Sequence, residues 1–238
     1  QEFEQLTDGF NQMQHSLLET MEENRRYEQN RTQMVADISH DLRTPLTSIK
    51  GYTKGILDGV ANTDDKRQQY LSVIYQKSVL MEDLLEKLFV FSQLETDKLP
   101  FSYQEIDLST FFQDYVVEKE LELAGQEIDF QLTIEKSLPV RVDAVQLTRV
   151  LDNLIDNAKK YVTARPLKLE LIAKHQGDQV MWTFKDNGPG VQEENLANLF
   201  DEFYREDQAR QIDGHGLGLA IIKSIVTEMG GTVEAANQ

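Results

Sequence analysis

Cysteine is absent from this chain of 238 residues, which removes disulfides, thiolate metal sites and a cysteine nucleophile at once. That absence is compatible with a reducing cytosol without requiring one. Basic residues are also scarce, with 24 Lys and Arg against 41 Asp and Glu, a formal charge of −17. Nucleic-acid surfaces need clustered Lys and Arg for their phosphates, so this balance argues against DNA or RNA as a partner. It argues equally against a polybasic membrane-binding face. No apolar run approaches the ~20 residues needed to cross a bilayer and no signal peptide is visible, so the chain reads as a soluble piece. What is present is a 40% hydrophobic content, enough to bury a real core in one or two domains.

Proline is rare too, and the first is Pro45. The chain before it reads as helix. From Gln1 to about Glu28, the residues Leu6, Phe10, Met13, Leu17 and Met21 recur at three- and four-residue steps, which is coiled-coil spacing. The stretch from Asn24 to Gln33 holds no Pro or Gly, so the helix is expected to continue through it. From Met34 to Tyr52 the apolar residues Met34, Val35, Ile38, Leu42, Leu46, Ile49 and Tyr52 form one stripe. His40 projects opposite that stripe, with Thr44 and Thr47 along its own face and Asp41 directly after it. An imidazole held in water beside a carboxylate suits a nucleophile better than a packing residue. Pro45 removes one helical hydrogen bond and is expected to kink the rod.

A turn follows near Gly59, and Thr63-Asp64-Asp65 offers N-cap residues for a second helix. Tyr70, Ile74, Leu80, Met81, Leu84, Leu85, Leu88, Phe91 and Leu94 are its expected buried side. The two helices make an antiparallel hairpin with arms of about 40–50 Å. A single hairpin has too little core, so it is expected to dimerise into a four-helix bundle. Between Glu95 and Tyr103 helical periodicity stops, which marks a domain boundary.

Beyond it the pattern predicts helices near Leu108–Leu123, Ala144–Val162 and Leu217–Met229. Strands are expected at Ile128–Ile134, Leu167–Ala173 and Gln179–Lys185, the last two joined by a Gly177-Asp178 turn, with a further strand starting at Thr232. Grouped strands and helices of this kind suggest a two-layer α/β sandwich.

Three segments of this half can carry chemistry. The helix from Ala144 has a buried stripe of Leu147, Leu151, Leu154, Ile155 and Ala158, and a narrow polar stripe of Gln146, Arg149, Asn153, Asn157 and Lys160. The polar stripe is either a solvated face or a Mg²⁺-phosphate site built from amide oxygens and a lysine. Asp186-Asn187-Gly188-Pro189-Gly190 follows a strand, where glycines admit a ligand and an Asp can accept from an exocyclic amine, or where the chain simply turns. Gly214-His215-Gly216-Leu217-Gly218 opens the last helix, and free N–H groups there can cradle phosphate. Between the loops, Phe200 to Arg205 precedes a polar stretch, Glu206 to Asp213, that reads as a lid or a plain surface loop. His15 and His175 read as surface residues. No Ser sits in a nucleophile elbow, and no His-carboxylate cluster has metal-binding spacing.

Taken together, these segments resemble the sensor histidine kinases of two-component systems. SHDLRTPLTSIKGY looks like that family's phosphoacceptor box, LDNLIDNAKKY its N box, DNGPG its first glycine box, FDEFYRED its F box, and GHGLGLAIIKSIVTEMGG its second glycine box. The motifs occur in the family's order from about Met34 to Gly231, and LTDGFNQMQHSLLE is similar to the end of a HAMP linker. The resemblance implies an α-helical hairpin forming a dimeric four-helix bundle, followed by an α+β two-layer sandwich of the GHKL (Bergerat) ATP-binding type. It divides the chain into a signal helix (1–28), a dimerisation and histidine phosphotransfer domain (29–96), a hinge linker (97–103) and a catalytic ATP-binding domain (104–238).

By position, the resemblance makes His40 the phosphorylated residue, Asp41 its acid/base partner, and Thr44 the residue that orients water for dephosphorylating the partner. Asn153 would bind Mg²⁺, Asn157 and Lys160 would lie near the phosphates, and Tyr161 would lie against the nucleotide. Asp186 would read the adenine amino group, with Gly188 and Gly190 shaping the pocket and Arg205 acting from the lid on the γ-phosphate. Gly214, His215, Gly216, Leu217 and Gly218 would surround the phosphate chain, His215 standing where Thr or Ser is common. The implied activity is Mg-ATP-dependent autophosphorylation of His40, transfer to an Asp of a response regulator, and phosphatase activity toward that regulator. The implied setting is the cytoplasmic portion of a bacterial cell-membrane sensor, working as a homodimer and reaching the membrane only through a missing N-terminal part. The chain stops just after its last expected strand begins, leaving a shortened final hairpin or none. Two other classes compete: an ATP-hydrolysing machine of the gyrase, Hsp90 or MutL kind, which needs no exposed His on a hairpin, and a dimeric scaffold with a dead ATP site.

Overall fold

The computed structural model describes residues 2–96, 98–201 and 216–237. Two compact units divide the chain, Gln1–Leu84 and Leu85–Gln238.

The first unit is built on α1 (Glu2–Leu57), a helix of 56 residues that Pro45 does not end, and on most of α2 (Asp64–Glu95). With no breaker between Asn24 and Gln33, the opening segment and the His40 segment join as one rod, as expected. Gly59 turns the chain with φ +72°, a left-handed conformation that suits glycine. The hydroxyl of Thr63 then accepts from Lys66 N–H at 3.2 Å and caps α2. Near the turn the arms approach closely. Tyr52 meets Tyr70 edge-to-face at 4.9 Å, and a side-chain carbon on Gly55 would stand 2.7 Å from the Tyr70 ring.

The expected apolar stripes are only partly buried in the single chain. Ile38 is buried, while Val35 and Leu46 are exposed. On α2, Leu84, Phe91 and Leu94 are buried as expected, but Leu85 is exposed and Val90 takes a buried place instead. Leu71, Tyr75, Val79 and Phe89 form a second exposed apolar row, so α2 is apolar around more of its circumference than one partner helix can cover. Met13, Leu17 and Met21 are exposed as well.

The second unit is a two-layer sandwich. A three-stranded sheet has the order β2 (Ile128–Ile134), β4 (Leu167–Gln176), β5 (Gln179–Asp186); β2 and β4 run parallel, β4 and β5 antiparallel. Along β4 the side chains alternate, and Leu167, Leu169, Leu171 and Ala173 point into the core. They meet Phe112, Tyr115 and Val116 of α3 (Leu108–Glu122) and Leu147, Leu151, Ile155 and Ala158 of α4 (Ala144–Tyr161) in one apolar cluster. On α4, Val150 joins this buried side, whereas Leu154 is only half-buried. A second, two-stranded sheet pairs β1 (Gln104–Asp107) with β3 (Pro139–Val142). These four-residue strands were too short to show a period in the sequence. A 3₁₀ turn (Glu193–Asn198) and α5 (Gly218–Glu228) complete the unit, and α5 packs on α4. Residues 231–237 join no strand, contrary to the strand expected at Thr232, because no ladder forms along the free edge of β5 among the described residues.

Asp143 starts α4 and fixes its position. One carboxylate oxygen accepts from Val145 and Gln146 N–H at 2.8 and 3.0 Å, and the other accepts from Ser102 N–H at 2.6 Å. The carboxylate is buried, so removing it strands three backbone donors. Asp143→Ala is expected to destabilise this unit by about 2–3 kcal/mol and lower its melting temperature by about 5–10 °C. Asp143→Asn keeps the capping oxygen and should recover most of that loss in the same thermal melt; an unchanged melt for the alanine variant would show that the cap adds nothing.

Candidate functional site

His40 sits on α1 with its ring 76% exposed. Its Nδ1 lies 3.2 Å from Asp41 Oδ1. A carboxylate at Nδ1 favours the tautomer with the proton there and leaves the Nε2 lone pair facing solvent. Around it, hydroxyls bond back to the helix: Ser39 donates to Val35 C=O at 2.6 Å, Thr44 to His40 C=O at 3.3 Å, and Thr47 to Arg43 C=O at 2.8 Å. Pro45 cannot donate to the Asp41 carbonyl one turn back, so the ladder is weakened where the His40 ring stands.

The polar stripe of α4 is not a solvated face. Gln146 and Asn153 are only 5% and 6% exposed, and Asn157 and Lys160 are half-buried. The Asn153 amide is oriented by its own helix, since Nδ2 donates to Arg149 C=O at 2.9 Å. Its Oδ1 is therefore aimed the other way, toward Gly218 at the start of α5. A side-chain carbon on Gly218 would stand 3.4 Å from Asn153 Oδ1 and 3.7 Å from Asn157 Oδ1. The missing side chain keeps a small space open between two amide oxygens and a helix N-terminus. Gly216, just before it, has φ +67°, and Leu217 is buried and anchors the turn. At the far end of α4, Lys160 Nζ rests 4.7 Å over the Tyr161 ring.

Helix α4 is held against α3 on its other side. The buried Tyr115 hydroxyl donates to Asp152 at 2.8 Å, and Lys119 pairs with Asp152 at 3.0 Å and Glu122 at 2.6 Å. Burial, with the Asp152 carboxylate adding to it, pushes the Tyr115 hydroxyl far above its ordinary range. Burial pulls Lys119 down, but Glu122 and Asp152 outweigh it and the ammonium ends above its usual value. Both groups stay protonated at neutral pH and donate to the helix that carries Asn153.

Asp186 ends β5. Its Oδ1 accepts from Gly188 N–H at 2.7 Å, and its other oxygen takes no partner among the described residues. A side-chain carbon on Gly188 would stand 2.6 Å from Asp186 Oδ1 and 2.9 Å from Val162 Cγ2, so only glycine lets this turn close. Asn187, which sequence reasoning left without a role, fastens the loop: Oδ1 accepts from Lys168 N–H at 2.8 Å and Nδ2 donates to Pro166 C=O at 3.1 Å. Gly190 has φ +74°. Arg205, Gly214 and His215, with the expected lid, lie outside the described residues. Among the described residues no three His, Asp or Glu side chains gather into a metal-binding group.

Two family models match the chain in the order of these features. Residues 30–97 match the His Kinase A (phospho-acceptor) domain, and residues 142–238 match the histidine kinase-, DNA gyrase B- and HSP90-like ATPase. The chain belongs to the two-component sensor histidine kinases. Among this kinase's relatives, the sensor protein VanSC of Enterococcus gallinarum is 30% identical over 96% of this chain and 63% of its own length. The sensor histidine kinase WalK of Bacillus subtilis is 30% identical over 90% of this chain and 35% of its own. The solved histidine kinase AdeS of Acinetobacter baumannii superposes with a TM-score of 0.67 and 28% identity, covering 84% of this chain and 91% of that one. This histidine kinase chain thus spans about half the length of the curated relatives it matches. No helix among its described residues is long and apolar enough to cross a membrane.

Proposed function

We propose that the chain phosphorylates itself on His40 from Mg-ATP and passes the phosphoryl group to an Asp of a response regulator. The observation that carries this reading is the exposed His40 ring with Asp41 at Nδ1, in a chain whose residues 142–238 also match the ATPase family model. Nε2 attacks the γ-phosphorus in line and ADP leaves, while the positive imidazole that forms is stabilised by Asp41 through the Nδ1 proton. The phosphoramidate is labile, which suits a relay.

In the nucleotide pocket, Asp186 accepts from the adenine amino group through its unpartnered oxygen, and the glycine turn lets the base approach. Asn153 Oδ1 fits a Mg²⁺ ion that keeps waters and phosphate oxygens, because the amide is pre-aimed at a space that Gly218 leaves open. Bound there, the ion would supply charge neutralisation for the phosphates. Asn157 lines the same space, Lys160 and Tyr161 flank it, and the Gly216–Gly218 turn offers backbone N–H groups to phosphate oxygens. Arg205, Gly214 and His215 keep the roles implied by the motif. The phosphate donor and the acceptor lie in different units, which divide within α2 at Leu84–Leu85 and leave the expected linker 97–103 inside the second unit, so transfer requires the two units to move relative to one another. The exposed apolar row on α2 supports a homodimer through the hairpin.

Incubation of the chain with γ-labelled ATP and Mg²⁺ tests the reading, and acid-labile, base-stable label is the expected product. Thr44 lies one turn beyond His40 on its exposed side, where its hydroxyl can orient a water against a phospho-aspartate docked at His40. Thr44→Ala is expected to keep autophosphorylation within about twofold and lose about tenfold or more in dephosphorylation of the regulator. Equal loss of both activities, or of neither, would remove Thr44 from this role.

A further inference from the structure

The loop from Asp186 to Val191 is fastened on two sides, and only one fastening belongs to a recognised motif. On the first side Asn187 holds the backbone of Pro166 and Lys168. On the second, Asn237 holds Val191: its Oδ1 accepts from Val191 N–H at 2.9 Å and its Nδ2 donates to Val191 C=O at 2.5 Å. One carboxamide thus exchanges both bonds with a single residue, as a paired strand residue would. It does so where residues 231–237 form no ladder. Gly190 makes room for it, since a side-chain carbon there would stand 2.7 Å from Asn237 Oδ1.

From this geometry we infer that Asn237 is a positioning residue for nucleotide binding, acting through Val191 on the Asp186–Gly190 turn. The inference rests on the proposed reading of that turn as part of the ATP pocket. Gly188 lies between the two fastened residues, Asn187 and Val191, and Asp186, which accepts from Gly188 N–H, directly precedes the first. With both in place the turn is ordered before the nucleotide arrives, and binding does not have to pay for that order. With the second one lost, Gly190 and Val191 regain backbone freedom at the mouth of the pocket. Asn237 touches neither nucleotide nor reacting atoms. Its loss should therefore raise KM for ATP and leave kcat unchanged.

The test uses the whole chain, with the fluorescent analogue mant-ADP as probe and amide exchange at Val191 as a second readout. Asn237→Ala is expected to weaken mant-ADP binding about five- to tenfold, raise KM for ATP by the same factor, and hold kcat within about twofold. Exchange at Val191 N–H should accelerate while core amides of β4 do not change. Asn237→Asp keeps the acceptor for Val191 N–H but sets a carboxylate against the Val191 carbonyl, so its binding should be no better than that of the alanine variant. Unchanged mant-ADP affinity in Asn237→Ala overturns the inference, as does a fall in kcat at constant KM. Failure of the parent chain to bind mant-ADP overturns the nucleotide reading itself, and the inference with it.

Discussion

His40→Gln is expected to remain folded and to bind nucleotide, but to retain no phosphate from γ-labelled ATP. The structural cost is small because the ring is 76% exposed and its polar contact is with the adjacent Asp41. Surface substitutions of this kind usually change stability by no more than about 0.5 kcal/mol. The chemical cost is large. A glutamine amide has no lone pair comparable to Nε2 of a neutral imidazole, and no second ring nitrogen through which Asp41 can stabilise the product. Acid-labile label is therefore expected to fall by about a thousandfold or more. Mant-ADP affinity should stay within about twofold, because no residue proposed to contact the nucleotide has changed. Label persisting on the variant would place the phosphate elsewhere and end the assignment to His40. Loss of nucleotide binding together with the label would point to a folding defect, which the thermal melt would reveal.

Much of the architecture was legible because its periods are strong. The strand at Ile128–Ile134 alternates along its whole length, and α4 presents apolar residues at regular helical steps, so both were expected at their observed bounds to within a residue. Short elements escaped. The strands Gln104–Asp107 and Pro139–Val142 are four residues each, and no period can be read in four residues. The expected strand at Thr232 failed for a different reason: its residues have strand character, but strand formation depends on pairing with another strand, which residues 231–237 do not do although β5 ends the sheet.

The candidate site was legible as residue types and not as burial. Sequence spacing puts Gln146, Asn153 and Asn157 on one stripe, and either a wet surface or a site would give the same pattern. Burial of Asn153 under α5 separates the two, and α5 lies some 60 residues further along the chain. Asp143 carried a readable signal, since an Asp just before an apolar-periodic helix is an N-cap signature. Asn187 and Asn237 did not. Their partners are backbone groups of Pro166, Lys168 and Val191, and any side chain there would offer the same amide and carbonyl.

Asn153→Ala should separate activity from stability more cleanly than any other change in the ATP-binding unit. The amide donates only to Arg149 C=O within its own helix, so its removal strands no buried donor from another element. Alanine is also the better helix former, which offsets part of the lost packing, and the net cost should be about 1 kcal/mol or less. The functional cost is set by Oδ1. Substitution of groups that merely support a metal ligand typically costs 10–100-fold, so removing the proposed ligand should lower autophosphorylation at least about 100-fold. The decisive measurement is mant-ADP binding with and without Mg²⁺. The parent chain should bind more tightly when Mg²⁺ is present, and Asn153→Ala should bind equally with or without it, at the parent's metal-free affinity. Asn153→Asp restores an oxygen at the same place and should recover part of the Mg²⁺ dependence. A variant that still responds to Mg²⁺ as the parent does would move the metal away from Asn153. A variant that melts several degrees lower would make this buried amide a packing residue, leaving Gly218 to be explained by the approach of two helices alone.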